Sequence, residues 1–169
     1  MHKNLYIVGF MGTGKTTVGK MVAHILKREF IELDDMVVQQ EGLAIVDIFA
    51  QKGEAYFRRV ETDIVRHLAQ QSNLVVSCGG GVVIDDNNIA VLKETGLVIC
   101  LGASAKTIYE RTKASDARPL LNVENPLERI SALLDQRALQ YQKAHYFIDT
   151  VGISIDEVAR KIVERVSHE

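Results

Sequence analysis

Nine residues near the start of the chain, Gly9-Phe10-Met11-Gly12-Thr13-Gly14-Lys15-Thr16-Thr17, fit the pattern G-x-x-x-x-G-K-[ST]. Few folds accommodate this motif, because it demands a strand before it and a helix after it. Both are written in the flanks. Leu5-Tyr6-Ile7-Val8 is a short apolar run, and Val18, Met21, Val22, Ile25 and Leu26 recur at helical spacing. Glycines at 9, 12 and 14 open backbone conformations that a side chain forbids. Successive N–H groups can then wrap round a phosphate at a helix start, where the dipole favours negative charge. In such a loop Lys15 reaches the β- and γ-phosphates and the Thr16 hydroxyl holds Mg²⁺. The predicted nucleotide-binding stretch is Gly12, Thr13, Gly14, Lys15, Thr16 and Thr17.

With 169 residues, the chain is expected to form one domain over 1–169 with a sizeable core. Twenty Lys and Arg against 22 Asp and Glu leave a net charge of −2, without the basic excess of a nucleic-acid binder. No apolar run is long enough to span a bilayer and the start has no signal-peptide anatomy, so a cytoplasmic location is expected. Cys78 and Cys100 each end an apolar run, which predicts buried strand thiols, not a disulfide or a nucleophile. The five histidines are scattered, and none pairs with another ligand type at metal spacing.

Five strand candidates, 5–9, 30–34, 73–78, 97–101 and 146–149, alternate with helical patterns. That alternation predicts an α/β fold, a parallel sheet with helices on both faces. Two helix starts are marked by sequence. Asn125-Pro126-Leu127-Glu128 combines a capping residue with proline at the first helical position. Ser154-Ile155-Asp156-Glu157 is a second capping box, opening a terminal helix whose stripe is Ile155, Val158, Ala159, Ile162 and Val166. The polar segment 113–125 holds Arg118-Pro119 and follows a predicted helix at about 104–112. In a phosphoryl-transfer protein such a segment is a lid candidate.

The acceptor side is written in three other stretches. Phe30-Ile31-Glu32-Leu33-Asp34-Asp35 sends carboxylates off the predicted C-terminal end of a strand, where ligands of open α/β sheets bind. Strand alternation would put Glu32 and Asp34 on one side and Asp35 on the other. A carboxylate there can hold Mg²⁺, directly or through water, or take a proton from an attacking hydroxyl. Asp34 is the functional candidate, and Asp35 is assigned to the turn that caps the next helix. Ser77-Cys78-Gly79-Gly80-Gly81 ends the third strand candidate. Three glycines in a row are entropically costly and are explained if backbone approaches a ligand closely, or if they form a hinge. Ser77 could orient a metal-bound water. Arg58 lies at the edge of the stripe Phe57, Val60, Ile64 and Leu68. Arg137 falls among Ile130, Leu133, Leu134 and Tyr141, where the pattern demands an apolar residue. A guanidinium in that place snorkels, pairs with an acid or lines a cavity for an anion. Its planar fork matches a carboxylate, which suits a small organic acid as acceptor. A gluconate or nucleoside monophosphate kinase stays open, since arginines also grip phosphate. A nucleotide-dependent switch is the alternative of another class. The chain lacks a guanine-reading Asn-Lys-x-Asp run.

Taken together and in this order, these residues resemble the shikimate kinases, small P-loop kinases related in fold to nucleoside monophosphate kinases. The resemblance runs nearly end to end. It is carried by Gly9–Thr17, Glu32-Leu33-Asp34, Phe57-Arg58-Arg59, the triple glycine 79–81, Arg118-Pro119-Leu120-Leu121, and Gln136-Arg137-Ala138. It implies a P-loop NTPase fold of the nucleoside monophosphate kinase type, with a five-stranded parallel sheet in the order 2-3-1-4-5. It implies an acceptor-binding helical region at about 33–61 and a lid at about 113–125. The implied reaction moves the γ-phosphoryl group of ATP to the 3-hydroxyl of shikimate, in the route to chorismate and the aromatic amino acids. Asp34 would then hydrogen-bond the acceptor hydroxyl and serve as base. Arg58 and Arg137 would clamp the shikimate carboxylate, and Gly79, Gly80 and Gly81 would contact its ring substituents. Arg118 would reach the transferring phosphoryl group, Arg111 would lie against adenine, and the loop at Asp149-Thr150-Val151-Gly152 would pack on it through backbone. The expected partners are ATP, Mg²⁺ and shikimate, with the chain a monomer and with no nucleic acid or membrane partner. One departure stands out: the family's Asp-x-Asp is Glu32-x-Asp34 here. Glutamate keeps the charge and adds a methylene, so Glu32 is expected to reach the metal through water with a shifted geometry.

Overall fold

The computed structural model describes residues 3–114 and 121–168. Strand β1 (Asn4–Val8) is buried along its whole length. It lies at the centre of a sheet completed by β2 (Glu29–Glu32), β3 (Leu74–Ser77), β4 (Gly96–Gly102) and β5 (Tyr146–Asp149). The strand order is β2-β3-β1-β4-β5 and every pairing is parallel. Both the parallel sheet and the implied order are therefore observed.

Alternation along β1 divides the core in two. Tyr6 and Val8 face one side, where they meet residues of α2 (Leu33–Glu41), α3 (Ile45–Lys52), α4 (Glu54–Ala69), α5 (Asp86–Thr95), α6 (Ala105–Thr112) and α7 (Pro126–Tyr141). Leu5 and Ile7 face the other side, against α1 (Lys15–Leu26) and α8 (Ile155–Ser167). A central strand covered on both faces must be apolar throughout, which is why Leu5–Val8 reads as a run without polar interruption. The exception is Asn4, 1% exposed. Its Nδ2 donates to the Leu68 and Gln71 carbonyls at 3.3 and 3.0 Å, and its Oδ1 accepts from Leu74 N at 3.0 Å. It thus ties the end of α4 to the starts of β1 and β3.

Helix starts follow the sequence in part. Ser154 accepts from Glu157 N at 3.2 Å, as its capping pattern predicts. Pro126 takes the first position of α7, but the Asn125 side chain makes no cap bond. Ser104 caps α6 by accepting from Thr107 N at 3.2 Å. Ile155, expected in the α8 stripe, is exposed, and Val158, Ala159 and Ile162 carry the burial.

The end of β2 corrects the predicted strand 30–34. The strand stops at Glu32, and Leu33, Asp34 and Asp35 already form the first turn of α2. Leu33 is fully buried, and two carboxylates in a first turn suit the helix dipole. Glu32 and Asp34 are therefore not strand neighbours on one face. One hangs from the strand end and the other from a helix start. Among the described residues no helix is long and apolar enough to cross a membrane.

Candidate active site

The C-terminal ends of β1, β2 and β3 open into a cleft of about 560 Å³. The glycine loop walls one end, and α2, α3, α4 and α7 supply the other.

At the loop end, Gly12 and Gly14 take φ of 77° and 91°, the left-handed region that glycine enters without strain. Gly14 is the N-cap of α1, so the loop delivers its N–H groups at a helix start. Lys15 Nζ lies over the loop and donates to the Phe10 carbonyl at 3.0 Å. Thr13 turns inward: it is 2% exposed and donates to the same carbonyl at 2.7 Å, so its side chain shapes the loop and does not line the cleft. Thr16 and Thr17 do line it. Arg111 Nη1 donates to the Gly12 carbonyl at 3.1 Å and to Thr150 Oγ1 at 3.3 Å, joining α6, the loop and the end of β5.

Thr16 Oγ1 donates to Glu32 Oε2 at 2.6 Å. The hydroxyl proton is thereby directed at the carboxylate, which leaves its lone pairs for a cation. Both groups are hard oxygen donors of the kind Mg²⁺ takes. Burial raises the Glu32 carboxyl above its ordinary pKa, opposed by the Thr16 and Ser77 hydroxyls and by Lys15. Ser77 pairs with Glu32 across β2 and β3, and its buried hydroxyl makes no hydrogen bond of ordinary geometry. Among the described residues no group of three His, Cys, Asp or Glu could hold a metal ion, so a protein-only cage is absent there.

At the acceptor end, Asp34 from α2, Arg58 and Glu61 from α4, and Arg137 from α7 face the triple glycine. Arg58 donates from Nη1 to Glu61 Oε2 at 2.9 Å and from Nη2 to Glu54 Oε1 at 3.2 Å. Arg137 is 4% exposed. Its Nη1 donates to the Gly80 carbonyl at 3.3 Å, and its guanidinium sits 5.5 Å from the Phe10 ring centroid. One turn on, Tyr141 OH donates to the same carbonyl at 2.9 Å. Helix α7 thus grips the triple glycine twice, at the Gly80 carbonyl, which explains why its stripe tolerates a guanidinium.

The three glycines serve the side chains around them. A Cβ on Gly79 would stand 2.7 Å from Glu61 Oε1 and 2.9 Å from Asp34 Oδ1. One on Gly81 would stand 2.4–2.5 Å from the Arg58 guanidinium. None of the three is in the left-handed region, so the need for glycine at 79 and 81 is one of space. This adds a packing reason to the two that the sequence offers.

Glu61 is a cleft residue that the sequence alone does not single out. It is 1% exposed, and burial pushes its carboxyl up to about 7 despite the opposing Arg58 charge. The signal was available: Glu61 falls on the apolar stripe of α4 beside Val60 and Ile64, just as Arg137 interrupts α7. Ile45, Phe49 and Phe57 add an apolar wall, with the Phe49 and Phe57 centroids 4.9 Å apart. Cys78 and Cys100 are buried and free, and burial raises both thiols, Cys100 to about 12, so neither is poised as a nucleophile. Arg118 lies outside the described residues, as does the part of the 113–125 segment from 115 to 120.

The shikimate kinase family model matches residues 11–167. A shikimate kinase of Thermodesulfovibrio yellowstonii is 44% identical over 169 residues, covering 98% of each chain. Among solved structures, shikimate kinase from Acinetobacter baumannii in complex with shikimate superposes with a TM-score of 0.96 at 37% identity, covering 99% of this chain and 94% of that one. Shikimate kinase from Aquifex aeolicus gives 0.86 at 33% identity, covering 97% and 96%.

Proposed function

The chain belongs to the shikimate kinase family, and on that premise we propose that it transfers the γ-phosphoryl group of ATP to the 3-hydroxyl of shikimate, giving shikimate 3-phosphate and ADP. The reaction belongs to the route to chorismate and the aromatic amino acids, and the enzyme works in the cytoplasm. The observation that carries this reading is the convergence of Asp34, Arg58 and Arg137 on one cleft with Lys15 and Thr16. An acid-binding end and a phosphate-binding end share one cavity, which is what direct transfer between two substrates requires.

The residues divide the work as follows. The loop N–H groups and Lys15 bind the β- and γ-phosphates, with the Lys15 ammonium leaving the Phe10 carbonyl for them. Thr16, with Glu32 through water, would hold Mg²⁺, which when bound neutralises charge on the β- and γ-phosphates. Arg58 and Arg137 take the shikimate carboxylate and fix the ring. Asp34 orients the 3-hydroxyl and accepts its proton as the oxygen attacks phosphorus. The new O–P bond forms, the bond from phosphorus to the ADP oxygen breaks, and the electron pair leaves with ADP. Arg111 braces the Gly12 carbonyl and lies against the adenine side. The acceptor-binding region spans about 33–61.

Two predictions arise here. The methyl ester of shikimate lacks the charge that the arginines read, so its KM should rise about 100-fold while kcat holds within a few-fold. Steady-state ADP release with the two acceptors measures this, and equal KM values would remove the carboxylate clamp. Gly81→Ala leaves the backbone unstrained but drives a methyl group into the Arg58 guanidinium. It should raise the KM for shikimate about 5- to 20-fold and leave the KM for ATP unchanged, a loss of about 1–2 kcal/mol of acceptor binding. An unchanged shikimate KM would mean that Arg58 does not read the acceptor.

A further inference from the structure

Behind the triple glycine lies a second cavity, of about 460 Å³, separate from the cleft that takes the substrates. Arg58, Glu61 and Gly81 line both, so they form the wall between them. Gln140 of α7, Asn88 and Thr62 also line the second cavity. Lys143 pairs with Asp86 at its exposed edge, at 2.6 Å.

Three of the residues lining this cavity each carry a buried polar atom with no protein partner: Arg58 Nε, Glu61 Oε1 and Gln140 Oε1. Glu61 is 1% exposed, so its oxygen has no general access to bulk solvent. The three atoms are not a random set. One is an N–H donor and two are acceptors. A single water within reach of all three would satisfy them, accepting from Arg58 and donating to Glu61 and Gln140, which is the usual number of bonds for an internal water. Leaving three buried polar atoms without a partner is costly.

We infer that Gln140 is a positioning residue for the acceptor site, holding Arg58 and Glu61 through a bound water in this back cavity. The Arg58 fork is then fixed on every edge: Nη1 by Glu61, Nη2 by Glu54, and Nε by the water. Gln140 lies three residues beyond Arg137 and one before Tyr141, so the helix that carries one carboxylate-binding arginine also steadies the other. Registering two guanidinium planes to one carboxylate demands that their helices keep a fixed relation, and the water bridge between α4 and α7 supplies it. The inference rests on the shikimate reading for its kinetic consequence, and on the three atoms alone for the water.

The test uses the full chain and two variants. Gln140→Met keeps the volume and removes the acceptor, and Gln140→Glu keeps an acceptor oxygen. The expected result for Gln140→Met is a 3- to 10-fold higher KM for shikimate, with kcat and the KM for ATP within twofold of the parent. Gln140→Glu should return the shikimate KM to within twofold. An unchanged shikimate KM in Gln140→Met overturns the inference. So does a parallel rise in the KM for ATP, which would mark a merely structural role. A high-resolution crystal structure of the parent decides the water independently of which acid is the acceptor. Density within hydrogen-bond distance of Arg58 Nε, Glu61 Oε1 and Gln140 Oε1 is expected, and its absence overturns the bridge.

Discussion

Replacing Asp34 by asparagine is expected to lower kcat about 10²- to 10⁴-fold while nucleotide binds with unchanged affinity. The amide keeps the size of the side chain and can still hydrogen-bond a hydroxyl, so the acceptor stays in place. What it lacks is a basic oxygen for the proton that leaves as the O–P bond forms. Asp34 is well placed for that task by its helix. It stands in the first turn of α2 with Oδ1 close against the Gly79 backbone, and its neighbour Leu33 is fully buried and anchors the turn. The loop keeps its own bonds from Thr13 and Lys15 to the Phe10 carbonyl, so the nucleotide end should not respond. Titration of ATP into the variant and single-turnover transfer to shikimate measure the two halves separately. Transfer within a few-fold of the parent would remove Asp34 as base.

Arg137→Ala is the second large effect, falling on binding. The guanidinium is 4% exposed and faces the cleft from a helix stripe that is otherwise apolar. Removing one partner of a buried charged contact costs about 2–5 kcal/mol, so the KM for shikimate should rise about 10²- to 10³-fold. The KM for ATP should stay within about threefold, because the loop is held by its own bonds and by Arg111. The fold should survive: Tyr141 keeps its bond to the Gly80 carbonyl at 2.9 Å when the Arg137 bond is lost. Arg137→Lys should recover only part of the loss, since an ammonium cannot offer two parallel donors. Equal losses for ATP and shikimate would contradict the assignment.

Much of this architecture is legible in the chain. The glycine loop announces its strand and helix, and the βα alternation announces the parallel sheet. Arg137 reveals itself because a charge on an apolar stripe needs a reason. What escaped has physical causes. The end of β2 is hidden because Phe30–Asp34 alternates like a strand, while the dipole of α2 and the burial of Leu33 draw Asp34 into a helix. The sequence offers a ligand's approach as the reason for the triple glycine, and the fold adds long-range neighbours at two of its positions, Asp34, Glu61 and Arg58. Glu61 could have been found by the rule that found Arg137. Gln140 could not, because an amide on a half-buried helix face is ordinary until its lack of a partner is seen. Asn4 is similar: a polar residue opening an apolar strand has no meaning until the carbonyls of α4 arrive beside it.

The most direct test of the central claim is the product itself. The protein with ATP and Mg²⁺ should be incubated with shikimate, gluconate or a nucleoside monophosphate, ADP release followed, and the product examined by ³¹P NMR. The account predicts ADP release that depends on shikimate, with one new phosphate monoester coupled to the proton at C3 of the ring. ADP release driven by another of these acceptors, or a phosphate carried elsewhere on the ring, would contradict it.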